Sequence, residues 1–137
     1  RLPRAIRDVY KRQDVGVAYD VPGMTSEKNE GKLGDGPLAI LMDATSIAHN
    51  GLRKHIKDVA EHHNIPVQWA TTPGGGTDAG SIHVANEGIP TITIGVPLRY
   101  MHSNVSVLNI DDYTNSVRLI TEIVRSLNDD SYQALMW

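Results

Sequence analysis

Apolar residues recur along this chain with two different periods. Short, nearly continuous runs come first: VGVAY at residues 15–19 and LAILM at 38–42, each bounded by turn formers. The first predicts a short strand, and the second, nearly continuous in apolar residues, a strand covered on both faces. Two further segments, VQWATT at 67–72 and TITIGV at 91–96, carry β-branched residues and predict two more strands. The first two runs end at aspartates, Asp20 and Asp43. Between them VPGMTSEKNEGKLGDGP, with two prolines and four glycines, predicts a long loop.

The helical period fills the intervals. In NGLRKHIKDVAEHHNI, Leu52, Ile56, Val59 and Ala60 follow three-and-four spacing behind Asn50, a fair N-cap. A second helix is expected from Asp78 or Ala79, with Ile82, Ala85 and Asn86 on successive turns, stopping at Gly88 ahead of Pro90. The third runs from Asp111 or Asp112 to Leu127 and presents Tyr113, Val117, Ile120, Val124 and Leu127 on one side. Strands alternating with single helices predict a layered α/β fold. The last residues, NDDSYQALMW, either pack Leu135 and Trp137 back on the sheet or form an unanchored terminus, and no function is read from them.

A chain of 137 residues suits one domain or a piece of a larger one. The absence of cysteine removes disulfides, thiolate nucleophiles and cysteine-rich zinc sites. A net charge of -3 with both signs interspersed offers no basic face to a nucleic acid. No apolar run approaches the roughly 20 residues that span a bilayer, and RLPRAIRDVYKRQ carries positive charge with no apolar signal core after it. A cytoplasmic protein with neither membrane nor nucleic-acid partners is expected.

The stretch TTPGGGTDAGSIHVANEG poses the first chemical question. A phosphate loop needs Lys-Ser or Lys-Thr after its glycines, whereas here Thr77 and Asp78 follow Gly74, Gly75 and Gly76, and Asp78 would repel an anion. A plain surface turn and a backbone wall beside a ligand remain as alternatives, since glycines permit close approach. Of six histidines, His55, His62 and His63 read as a solvated helix face, His49 as a surface turn and His83 as structural. His102, in GVPLRYMHS just beyond a buried strand, lies where open α/β sheets place ligands. It is a candidate zinc ligand or, equally, part of a loop tied down by Arg99. Asp20 is the matching carboxylate at another strand end, with Asp35, Asp43 and Asp78 as further acids near turns.

The segments DGPLAILMD, VQWATTPGGGTDAGSIHVANEGIPTITIGVPLRYMHS and DDYTNSVRLITEIVRSL together resemble the glutamyl and tetrahedral aminopeptidases, dinuclear metallopeptidases of the zinc-exopeptidase superfold. The likeness runs from about residue 14 to residue 128. It implies a three-layer, mixed-sheet α/β catalytic domain. It also implies that Asp20 terminally coordinates one divalent ion and His102 the other. Gly75, Gly76, Thr77 and Asp78 match the loop beside the site, and Arg99 and Tyr100 match residues lining the cleft. The two ions would be zinc or cobalt, the substrates peptides losing their N-terminal residue, and the whole protein a homo-oligomer.

The departures from the family pattern are as informative. The first metal histidine, the bridging aspartate and the glutamate pair that supplies general base and ligand all precede the region of Asp20 in the family. RLPRAIRDVYKRQ contains neither His nor Glu, and its one acid is Asp8. Residues 1–13 therefore read as an atypical leader, foreign or artefactual, 14–128 as the C-terminal part of a catalytic domain truncated on its N-terminal side, and 129–137 as a tail. No catalytic residue is assigned, because the general-base glutamate is missing. The expectation is an inactive fragment of a metal-dependent aminopeptidase. A non-catalytic truncated or assembly subunit is the alternative, as is another hydrolase on the same fold, for which Asp20 and Asp78 make a weak glycosidase pair. Lys32 and Arg99 would favour an acidic N-terminal side chain by charge alone.

Overall fold

The computed structural model describes residues 10–23 and 31–135, and in it four strands form one mixed sheet. In chain order these are β1 (Tyr10–Val17), β2 (Leu38–Asp43), β3 (Gln68–Thr72) and β4 (Thr91–Leu98). The helices are α1 (Asn50–His62), α2 (Ala79–Ile82), α3 (Ile110–Ser126) and α4 (Asp129–Leu135). The spatial order is β1-β4-β2-β3. β1 lies parallel to β4, β2 antiparallel to β4, and β3 parallel to β2 across the α1 crossover.

Alternation along the strands divides the sheet into two unlike faces. Ala39 pairs with Ile94, and both join Ile92 in the core beneath α1, α3 and α4. That core is closed by Leu52 and Ile56 from α1 and by Leu119 and Ile123 from α3, all fully buried. Removing any one of these to alanine costs about 2–5 kcal/mol. The other face carries Thr93, opposite Ile40. Over it sits the glycine loop, because the Thr77 hydroxyl lies 3.1 Å from that of Thr93.

Several expectations from the sequence shift at this level. The first strand begins at Tyr10 rather than residue 15, because eight residues pair in register with Thr91–Leu98. Residues 10–13 of the segment read as a leader thus lie in the sheet. The N-cap of α1 is His49, whose Nδ1 accepts the Leu52 N–H, and Asn50 is already helical. The second helix lasts four residues, and the chain turns away through Asn86 at φ +55° and Gly88 at φ +93°. Helix α3 buries Asp112, Ser116, Leu119 and Ile123, while Tyr113, Val117 and Val124 are exposed. Its inward face is turned by one residue, about 100°, because Asp112 faces in to hold a loop. The tail forms α4 and buries Leu135, so that part of it packs onto the domain; Trp137 lies outside the described residues.

Candidate functional site

The end of β2 is built around one carboxylate. Asp43 is buried, and its Oδ1 accepts from the Thr45 N–H at 2.7 Å, the Thr45 hydroxyl at 2.8 Å and the Ser46 N–H at 2.7 Å. Its Oδ2 accepts the Thr77 hydroxyl at 2.8 Å. The one Thr77 proton being used there, the Thr93 hydroxyl donates to Thr77 Oγ1. Burial would raise the Asp43 pKa, but donors from Thr45, Thr77 and Ser46 outweigh it and hold the group at about 2. Asp43 is thus an ionised staple that fixes the glycine loop to the sheet, reinforced where the Ala44 N–H meets the Gly75 carbonyl at 2.8 Å.

A second carboxylate is held beside the parallel pair β1 and β4. Because these strands run together to Val17 and Leu98, Asp20 and Arg99 emerge from the same sheet end. Arg99 Nε donates to Asp20 Oδ1 at 3.1 Å and its Nη2 to Oδ2, a two-pronged pair. The Leu33 N–H adds a longer bond to Oδ2, 3.3 Å. The Arg99 hydrogen bond lowers the Asp20 pKa, and the reciprocal contact raises that of Arg99. The loop carrying Leu33 is fixed by fully buried Asp112, whose two oxygens accept the N–H groups of Gly34 and Gly36 at 2.8 Å each. Both glycines have φ above +90°, which only glycine adopts without strain.

Beyond Arg99 the chain makes a tight turn. Tyr100 and His102 both adopt left-handed backbone, φ +60° and +63°. Such geometry costs a non-glycine residue about 1 kcal/mol or more. It is held by Ser103 and Ser106 hydroxyls on the Tyr100 carbonyl and by paired backbone bonds between Arg99 and Val107. The turn presents Met101 and His102 toward a cavity of about 170 Å³ on the face opposite α1 and α3. Gly75, Gly76 and Thr77 form one wall, Ile40 and the β1 backbone around Gly16 lie beneath, and Asp14 and Asp43 contribute carboxylates.

Of the residues singled out from sequence, the structure brings His102 together with Gly75, Gly76 and Thr77 at this cavity. Asp20 and Arg99 do not line it and instead pair with each other. Tyr100 is half exposed, and Asp78 is exposed at the start of α2, which its side chain does not cap. Sequence reasoning missed the roles of Asp43 and Asp112. The Asp-x-Thr-Ser order at 43–46 is a turn signal that points to the first; nothing local distinguishes Asp112 from Asp111. Among the described residues no three His, Asp or Glu side chains gather in a way that could hold a metal ion. Asp20 and His102 do not by themselves complete a dinuclear centre, though Asp20 Oδ1 accepts a single bond from Arg99 and keeps a second acceptor site.

Comparison with known proteins gives a consistent picture. The family model described as M42 glutamyl aminopeptidase matches residues 7–119. The glutamyl aminopeptidase of Lactococcus lactis subsp. cremoris is 35% identical over 123 residues, 90% of this chain and 33% of that protein. The lysyl aminopeptidase of Pyrococcus furiosus is 33% identical, with 83% of this chain and 34% of the relative covered. The crystal structure of a TET aminopeptidase from a marine sediment archaeon, Thaumarchaeota archaeon SCGC AB-539-E09, superposes with a TM-score of 0.89 at 34% identity. It covers 93% of this chain and 36% of that one. The chain spans about a third of the length of the relatives it matches.

Proposed function

We propose, from the premise that this chain belongs to the M42 glutamyl aminopeptidase family, that residues 14–128 form the C-terminal part of the catalytic domain of a longer, metal-dependent aminopeptidase. The mixed α/β sheet is that of the zinc-exopeptidase-like fold. In this reading Asp20 and His102 are terminal ligands of two different divalent ions, zinc or cobalt, and the remaining ligands and the general-base glutamate come from other parts of the longer protein. Bound ions of this kind activate water for peptide hydrolysis.

The observation that carries the reading is the convergence of His102 with Gly75, Gly76 and Thr77 at one cavity on the sheet's end. This chain's own contributions are positional. Asp43 and Thr77 lock the loop as a wall, Arg99 holds Asp20 ionised, and Asp112 anchors the segment whose Leu33 N–H reaches Asp20. Gly75, Gly76, Thr77, Asp78, Arg99 and Tyr100 surround the substrate or the ligands. Peptides are the substrates, and the longer protein assembles as a homo-oligomer. The 137 residues alone are inactive.

Hydrolysis of aminoacyl p-nitroanilides by the longer protein tests this. Turnover is expected, abolished by chelation and restored by added zinc or cobalt. Turnover indifferent to chelation, or none with any aminoacyl group, overturns it.

A further inference from the structure

The cavity beside His102 carries an answer about the substrate that the family name does not. Relatives of nearly equal similarity are a glutamyl and a lysyl aminopeptidase, side chains of opposite charge. The preference must be read from the walls. We infer that this cavity receives the side chain of the substrate's N-terminal residue and selects an uncharged aliphatic one of leucine or methionine size. The inference rests on the aminopeptidase reading above.

Volume is the first observation. At about 170 Å³ the cavity is close to the roughly 150 Å³ apolar cavity that accommodates benzene. A six-carbon body therefore fits.

Charge is the second. Among the described residues neither lysine nor arginine lines the cavity, while Asp14 and Asp43 both do. The two cations that sequence suggested for an acidic side chain are elsewhere. Arg99 is committed to Asp20. Lys32 is fixed through its N–H to the Gln68 side chain, at the opposite end of β3 from Thr72, which lines the cavity. A glutamate side chain would bring a third carboxylate beside those of Asp14 and Asp43, in a site partly removed from water.

The third observation concerns what the carboxylates do. Asp43 is consumed by donors from Thr45, Ser46 and Thr77, so it shapes the wall and is not offered to a substrate ammonium. Asp14 Oδ1 accepts the Val15 N–H at 2.8 Å. Ile40 and Met101 in the lining supply apolar contact, and methionine adapts its shape to an aliphatic guest. The location next to His102 puts that guest beside the proposed metal ligand.

The test uses this chain and three probes, L-leucinamide, L-lysinamide and the α-amide of L-glutamic acid, followed by amide NMR shifts. Leucinamide is expected to shift Gly75, Gly76 and Thr77 saturably, with an apparent Kd at least ~10-fold below that of the glutamic amide, the scale of discrimination an apolar pocket supplies. Met101→Arg, at a half-exposed position, is expected to admit the glutamic amide, and Met101→Gln to leave the order unchanged. Equal or stronger binding of the glutamic amide, stronger binding of lysinamide, or leucinamide shifts absent from these three residues each overturn the inference. The wild-type comparison decides even if a variant misfolds. Binding needs neither metal nor turnover, so its failure leaves the aminopeptidase reading standing; loss of that reading would show instead in the anilide assay.

Discussion

Arg99 grips both oxygens of Asp20, so the carboxylate assigned to a metal ion is already ionised, oriented and partnered. Replacing Arg99 by lysine removes the planar fork while keeping the charge. We expect Arg99→Lys to lower stability measurably but modestly, since the pair is only partly shielded from water. Asp20→Asn should cost a similar amount. Urea unfolding of the two variants and of the double variant measures the coupling, and independent, additive losses would contradict the pairing.

Asp112 offers a sharper stability test. Truncation to alanine leaves two glycine N–H groups without their acceptor in a buried place, at about 1–3 kcal/mol each. Asp112→Ala should therefore fall by about 2–6 kcal/mol in urea, whereas Asp111→Ala, exposed one residue earlier, should stay near wild type. A small effect at Asp112 would mean that the loop finds other partners.

These two carboxylates show where sequence reading reaches its limit. The three-and-four spacing of Leu52, Ile56, Val59 and Ala60 gave the buried face of α1 correctly, because its inward positions are all apolar. Of the apolar stripe Tyr113, Val117, Ile120, Val124 and Leu127 expected for α3, Ile120 and Leu127 pack with the core while Tyr113, Val117 and Val124 are exposed. There a charged residue turns inward to satisfy glycine N–H groups 76 and 78 positions earlier in the chain, a pairing no local period encodes. The position of His102 just beyond a buried strand is legible in the sequence, and the fold brings it to one cavity with Gly75, Gly76 and Thr77. The clasp between Asp20 and Arg99 joins residues 79 apart and needed the parallel β1 and β4 register to be seen.

Asp43 predicts a response to acid. Its folded pKa, about 2, lies below the ordinary aspartate value, so the unfolded chain takes up the proton first. The stability it contributes is full above about pH 4 and is lost as pH falls toward 2. Wild type should show this loss in thermal melts. Asp43→Asn should flatten the curve in that window and be less stable at neutral pH. An unchanged acid profile would contradict the staple.

His49 predicts a slope at milder pH. Burial lowers its pKa, and its Nδ1 serves as acceptor at the start of α1, so the neutral ring is the folded form. The unfolded chain binds the proton first, and stability declines as pH falls below about 6.5. His83 and Glu87 are the titratable groups that share its cavity. His49→Asn keeps a capping acceptor and should lessen the slope, while His49→Ala should lose about 1 kcal/mol at pH 8. Melts between pH 8 and 5.5 check both.

Metal analysis of the longer protein tests the assignment of Asp20 and His102 to two different ions. After purification with zinc or cobalt present, wild type should carry two divalent ions per chain. His102→Ala and Asp20→Ala should each retain about one, with aminopeptidase turnover reduced by several powers of ten. Full turnover without bound divalent ions, or both variants keeping two ions and wild-type activity, would contradict the account.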